Sequence, residues 1–137
     1  MKIAIFGLGY VGAVSGACFA ELGHDVVGVD VSDAKIDLIN RGEAPIVEEM
    51  IAELTADAVQ RGKFRAINDA AAAVHASEIT LVSVGTPTAR DGTPDLSYVD
   101  HVVAEIGAAL KGTDQKHVVV IRSTVPPGAT EKRFALV

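Results

Sequence analysis

Three glycines, Gly7, Gly9 and Gly12, follow directly on the apolar run Lys2–Phe6. Glycine inside a regular element costs roughly 0.5–1 kcal/mol against alanine. Six small or flexible residues in one short span (Gly7, Gly9, Gly12, Ala13, Ser15, Gly16) therefore need a structural reason. The G-x-G-x-x-G spacing, placed after a strand and opening a helix, supplies one. The first glycine permits a tight turn, the second lets a pyrophosphate approach the backbone, and the third lets helix and sheet pack closely. Backbone N–H groups at Tyr10 and Val11, unpaired at the helix start, then face negative charge. This predicts dinucleotide contacts at Gly7, Gly9, Tyr10, Val11 and Gly12.

The remaining pattern predicts strands at Lys2–Phe6, Asp25–Asp30, Phe64–Ile67, Glu78–Val84 and His117–Arg122. Helices are predicted at Tyr10–Leu22, Asp33–Asn40 (with Ser32 as N-cap), Val47–Gln60, Asp69–His75 and Leu96–Leu110. A further helix begins near Ala129, and Thr88–Pro94 is a loop by composition. Strands alternating with helices argue for an α/β fold: a Rossmann-type, doubly wound parallel sheet of order 3-2-1-4-5. Aromatic residues make up only 4% and Trp is absent, so the core is aliphatic, as suits buried parallel strands. The 137 residues suit one domain, 1–137. Because the sequence stops within a fresh helix, that domain is expected to be truncated, the N-terminal fragment of a longer enzyme.

Asp30 stands 23 positions after Gly7, at the end of the second predicted strand. A carboxylate about 20 residues beyond the first glycine accepts hydrogen bonds from a ribose 2′-OH and repels a 2′-phosphate. No Arg follows it, so the pattern favours NAD over NADP; a plain helix cap is the other reading of Asp30. Lys35, one turn into the next helix, either brackets the adenosine end or is solvated. Thr86 and Thr124 each follow the carboxyl end of a strand, where such sheets bind ligands. They are contacts for the nicotinamide half or ordinary turn residues.

No residue stands out as catalytic. His24 sits in a turn at the other end of the sheet, while His75, His101 and His117 are isolated and read as surface residues. Cys18, the sole cysteine, lies in the first helix and reads as a buried, inert thiol. It excludes an internal disulfide and fits a reducing, cytoplasmic setting. No metal-ligand cluster is present in the sequence. The net charge of −6 argues against a dominant basic face for nucleic acid or anionic lipid. No apolar stretch has membrane-spanning length.

Taken together, these residues resemble the UDP-glucose/GDP-mannose dehydrogenase family from Lys2 to about Thr130. The matching pieces are Phe6-Gly7-Leu8-Gly9-Tyr10-Val11-Gly12, Gly23-His24, Val29-Asp30 with Lys35-Ile36, and Gly42 to Glu48. They continue through Val84-Gly85-Thr86-Pro87, Asp95-Leu96-Ser97-Tyr98-Val99 and Ser123-Thr124-Val125-Pro126-Pro127-Gly128. The resemblance implies oxidation of a nucleotide-sugar alcohol to a carboxylate in two NAD-dependent steps, through a cysteine-bound intermediate. It implies NAD contacts at Tyr10, Val11, Asp30, Lys35, Thr86 and Thr124. It also implies a catalytic cysteine, a sugar-nucleotide domain and a dimer-building helix beyond this chain. The full-length protein is then a homodimer, and the fragment is inactive and monomeric or weakly associated. Phe6–Gly9 and Pro45–Glu48 are most similar to the GDP-mannose branch, since UDP-glucose enzymes more often carry an aromatic residue where Val47 stands. The family's Glu-Pro-Gly-Leu turn reads Glu48-Glu49-Met50-Ile51 here, so the loop lacks its Pro-Gly. Ala129 replaces a common threonine. Other readings are an NAD-dependent hydroxy-acid or hydroxyacyl dehydrogenase domain, a non-catalytic NAD/NADH-sensing module, and a scaffold with an empty cleft.

Overall fold

Strands β1 (Lys2–Phe6), β2 (Asp25–Val29), β3 (Phe64–Ile67), β4 (Ile79–Val82) and β5 (Val118–Ile121) form one sheet of order β3-β2-β1-β4-β5. Every pairing is parallel, as predicted. The computed structural model describes residues 1–114 and 116–135. Helices α1 (Tyr10–Glu21), α2 (Asp33–Asn40), α3 (Glu49–Gln60), α4 (Ala70–His75) and α5 (Ser97–Leu110) cover the sheet, and a π-helical turn spans Thr130–Phe134. The helix expected to begin near Ala129 starts at Thr130, with Ala129 as its N-cap, and Val137 lies outside the described residues.

Side-chain alternation along the strands divides the core. Ile3 and Ile5 of β1, Val26 of β2 and Phe64 and Ala66 of β3 face one way, with Leu8, Ala20, Ile39 and Ala58. Ala4 and Phe6 of β1, Val27 and Val29 of β2 and Val82 of β4 face the other, with Val74, Val99, Val103, Ile106 and Phe134. Central β1 is buried from Ile3 to Phe6, which is why its sequence runs apolar without a break. Small residues on α1 (Gly12, Ala13, Gly16, Ala17, Ala20) form its buried face, so the helix sits close to the sheet.

Element boundaries differ from the sequence expectations by one or two residues. Strand β4 ends at Val82 rather than Val84, freeing Ser83–Gly85 to form a loop. Helix α3 starts at Glu49 rather than Val47, and Val47 is fully exposed. Leu96 and Asp69 occupy N-cap positions of α5 and α4, and the Asp69 carboxylate accepts the Ala72 N–H at 2.9 Å. Strand β5 lies at the sheet edge, and Val118, Val119 and Val120 remain exposed. The predicted loop Thr88–Pro94 is tied by an isolated antiparallel bridge between those two residues.

Candidate functional site

The sheet reverses its winding at β1, between β2 and β4, and the glycine turn leaves β1 at that point. Gly7 has φ +93° and donates its N–H to the Val29 carbonyl at 2.8 Å. A Cβ there would lie 2.9 Å from the Ser83 carbonyl oxygen. A Cβ on Gly12 would lie 1.8 Å from the Gly7 oxygen, so helix and turn require glycine at both positions. Gly9 differs. Its backbone is extended, and no heavy atom lies within 4 Å of where its Cβ would stand. Packing inside the chain does not demand glycine at this position, so the space beside its Cα is open. Helix α1 begins immediately after it, with no side-chain cap and no acidic residue in its first turn. Its first internal bond runs from the Ala13 N–H to the Gly9 carbonyl at 2.9 Å. The preceding N–H groups, Tyr10 to Gly12, have no acceptor within the helix and form a donor cluster for an anion.

Asp30 follows β2 and faces this turn. Its Oδ2 accepts the Leu8 N–H at 2.7 Å and the Lys35 ammonium at 3.1 Å, and its Oδ1 accepts the Ser32 N–H at 2.9 Å. Ser32 occupies the N-cap of α2, as predicted, but its side chain makes no cap bond. The Asp30 side chain is 7% exposed and that of Lys35 40%. Burial alone raises the Asp30 pKa, but the N–H groups of Ser32 and Leu8 and the Lys35 charge outweigh it. The net effect holds the group below the ordinary carboxylate value of 3.8. An ionised carboxylate offers about four acceptor sites. Three are engaged, which leaves capacity for a hydroxyl donor.

Gly7, Gly9, Asp30 and Lys35 share one cleft of about 390 Å³, within the range of roughly 300–1,000 Å³ for small-molecule pockets. Its floor and opposite wall come from residues the motif did not point to: Ser83, Val84 and Gly85 after β4, and Tyr98, His101 and Glu105 of α5. The helical period of Leu96–Leu110 signals a packed face, but nothing local says that its other face turns toward the glycine turn. His101 lies 3.8 Å from Glu105 across one helical turn. Thr86 and Thr124 follow β4 and β5 as expected, yet among the described residues neither lines the cleft. Tyr10, Val11 and Gly12 also stand outside its lining, at its glycine-turn rim. Ser123 closes the strand ends, donating its hydroxyl to the Val84 carbonyl at 2.7 Å.

Two expectations are corrected. Cys18 is exposed rather than buried, because the helical period turns Ala13, Gly16, Ala17 and Ala20 to the sheet and leaves position 18 outside. His117 is not an isolated surface residue: its Nε2 lies 2.7 Å from the Thr80 hydroxyl, which is fully buried in β4. His24 lies in the turn opposite the cleft, as expected, with the N-terminal amine 3.4 Å from Nδ1. Sequence reasoning also missed a hydrogen bond from the Tyr10 hydroxyl to Glu48 Oε1 at 2.9 Å, across 38 residues. Among the described residues, no His, Cys, Asp or Glu group converges as metal ligands do, and no helix is long and apolar enough to cross a membrane.

The comparison with protein families decides among the dinucleotide-binding folds. Residues 1–137 match the model of the UDP-glucose/GDP-mannose dehydrogenase family, NAD binding domain. The chain belongs to this family. A GDP-mannose 6-dehydrogenase of Pseudomonas savastanoi pv. phaseolicola is 48% identical over 128 residues, 93% of this chain and 29% of that protein. A UDP-glucose 6-dehydrogenase of Rhizobium meliloti is 46% identical over 133 residues, 96% of this chain and 30% of that protein. Among solved structures, a ternary complex of GDP-mannose dehydrogenase from Pseudomonas aeruginosa superposes with a TM-score of 0.94 at 46% identity. That match covers 96% of this chain and 30% of the other. The chain therefore spans about 30% of the length of these relatives, and within the dehydrogenase family it corresponds to the NAD-binding domain.

Proposed function

We propose that this chain is the amino-terminal cofactor module of a nucleotide-sugar 6-dehydrogenase and binds NAD in the cleft at the β1–β4 crossover. One observation carries the reading. The open position at Gly9 and the Asp30 carboxylate, anchored by the Leu8 N–H, border the same cleft. The diphosphate is assigned to the N–H groups of Tyr10 and Val11, close against Gly9. The remaining acceptor capacity of Asp30 takes the adenosine ribose hydroxyls, and its charge disfavours a 2′-phosphate. The N–H groups of Ser32 and Leu8, together with Lys35, hold that carboxylate ionised and in place. Thr86 and Thr124 are assigned to the nicotinamide side, beyond the lined cleft. When bound, the nicotinamide supplies the hydride acceptor; this chain's residues bind and orient it. No chemical step is assigned to Cys18, which does not line the cleft.

For the whole protein we propose oxidation of the C6 alcohol of GDP-mannose or UDP-glucose to a carboxylate, in the cytoplasm and as a homodimer. The identities of 48% and 46% to relatives of the two names are the support for either sugar nucleotide. The test is an assay of the full-length gene product for NADH formation with both sugar nucleotides in parallel. Substrate-dependent NADH with either one is expected. NAD binding without turnover of either would overturn the assignment of these two sugar nucleotides as substrates.

A further inference from the structure

We infer that Glu48 is a positioning residue for the dinucleotide: through its hydrogen bond to the Tyr10 hydroxyl it fixes the Tyr10 ring beside the diphosphate turn and straps the 43–48 segment to α1. This rests on the NAD reading above.

Three observations point the same way. First, Glu48 occupies the N-cap of α3, yet its side chain makes no cap bond there. Glutamate is a poor substitute for the short Ser, Thr, Asp and Asn that cap helices. Its carboxylate reaches instead to a residue 38 positions earlier, at 2.9 Å. Second, Tyr10 is the first residue of α1, directly after Gly9, whose open side is the approach to the helix N-terminus. Tyr10 is 59% exposed, so packing does not hold its side chain. The Glu48 contact is what selects its orientation. Third, the segment it tethers is only partly packed: Ala44, Pro45 and Ile46 are half-buried, while Val47 is fully exposed. The bond to Glu48 also raises the Tyr10 pKa, so the phenol stays protonated and remains the donor.

The consequence concerns ligand affinity more than folding. A free Tyr10 ring samples several rotamers, and binding must then restrict it. A ring already held needs no such ordering. The acceptor oxygen, rather than the negative charge, performs this role, because a negative charge near the diphosphate repels it.

The experiment titrates the chain with NAD calorimetrically as wild type, Tyr10→Phe, Glu48→Ala, Glu48→Gln and the Tyr10→Phe/Glu48→Ala pair. Thermal unfolding of each without ligand serves as the fold control. Tyr10→Phe and Glu48→Ala are each expected to weaken NAD by about three- to tenfold, the cost of ordering one side chain on binding. The pair should be no weaker than the worse single variant, because both remove one interaction. Glu48→Gln, which keeps an acceptor, should stay within about twofold of wild type. Unfolding temperatures should scarcely move, which separates positioning from a structural role. Wild-type affinity in both single variants, or fully additive losses in the pair, would overturn the inference. Failure of the wild type itself to bind NAD would overturn the cofactor reading instead.

Discussion

The backbone N–H of Leu8 donates to Asp30 Oδ2 at 2.7 Å, joining the glycine turn to the end of β2. The residue assigned to the ribose is therefore also a structural tie. Asp30→Ala leaves the buried N–H of Leu8 without this acceptor, at a cost of about 1–3 kcal/mol. Asp30→Asn keeps an acceptor and loses less. Because the folded Asp30 pKa lies below 3.8, its contribution to stability is present above that value. It is lost as pH falls through the lower, folded pKa. Denaturant unfolding of both variants checks the ranking. Parallel titrations should show the preference for NAD over NADP reduced in each.

Gly9 and Gly12 separate ligand binding from folding. A methyl at Gly12 meets the Gly7 oxygen at 1.8 Å, so Gly12→Ala should destabilise by at least the ~1–3 kcal/mol of an overpacked site. Gly9→Ala meets nothing within 4 Å and should lose no more than about 1 kcal/mol, the difference between glycine and alanine at an N-cap. It should nonetheless weaken NAD on the order of tenfold or more, because the methyl occupies the approach to the backbone. Unfolding and titration of the same two variants decide it.

The π-helical turn after β5 is integral to the core. Phe134 is 5% exposed and sits beside Val103 and Ile106 of α5 and Val119 and Ile121 of β5, and Arg133 grips Asp100 of α5 through two hydrogen bonds. Phe134→Ala should cost about 3 kcal/mol, as for other buried aromatics, measured by chemical denaturation.

His117 sets a pH dependence away from the carboxylates. Burial lowers its pKa below 6.5, partly offset by the Ser77 backbone. Unfolded chains therefore bind more protons than folded ones between the folded pKa and 6.5. Stability is full above 6.5 and declines as pH falls through that window. Denaturation midpoints from about pH 8 to about pH 5 should show this decline, and His117→Gln should flatten it.

The sequence exposes what is local or periodic. The glycine spacing, the unbroken apolar strands and the strand–helix alternation each leave a short-range trace, and the sheet order follows from them. Asp30 was legible because its distance from Gly7 reflects one βαβ unit. Tyr10–Glu48, Thr80–His117 and the α5 wall of the cleft depend on which distant segments the fold brings together, and no local pattern records that. Cys18 was misread from its apolar character, although the period of Ala13, Gly16, Ala17 and Ala20 already turned position 18 outward.

The most direct measurement is a calorimetric titration of this chain with NAD and, separately, with NADP. Saturable one-to-one binding of NAD is predicted, tighter than NADP by about tenfold or more, since the second phosphate would meet the Asp30 carboxylate. No binding of NAD at millimolar concentration, or NADP binding as tightly as NAD, would contradict the account.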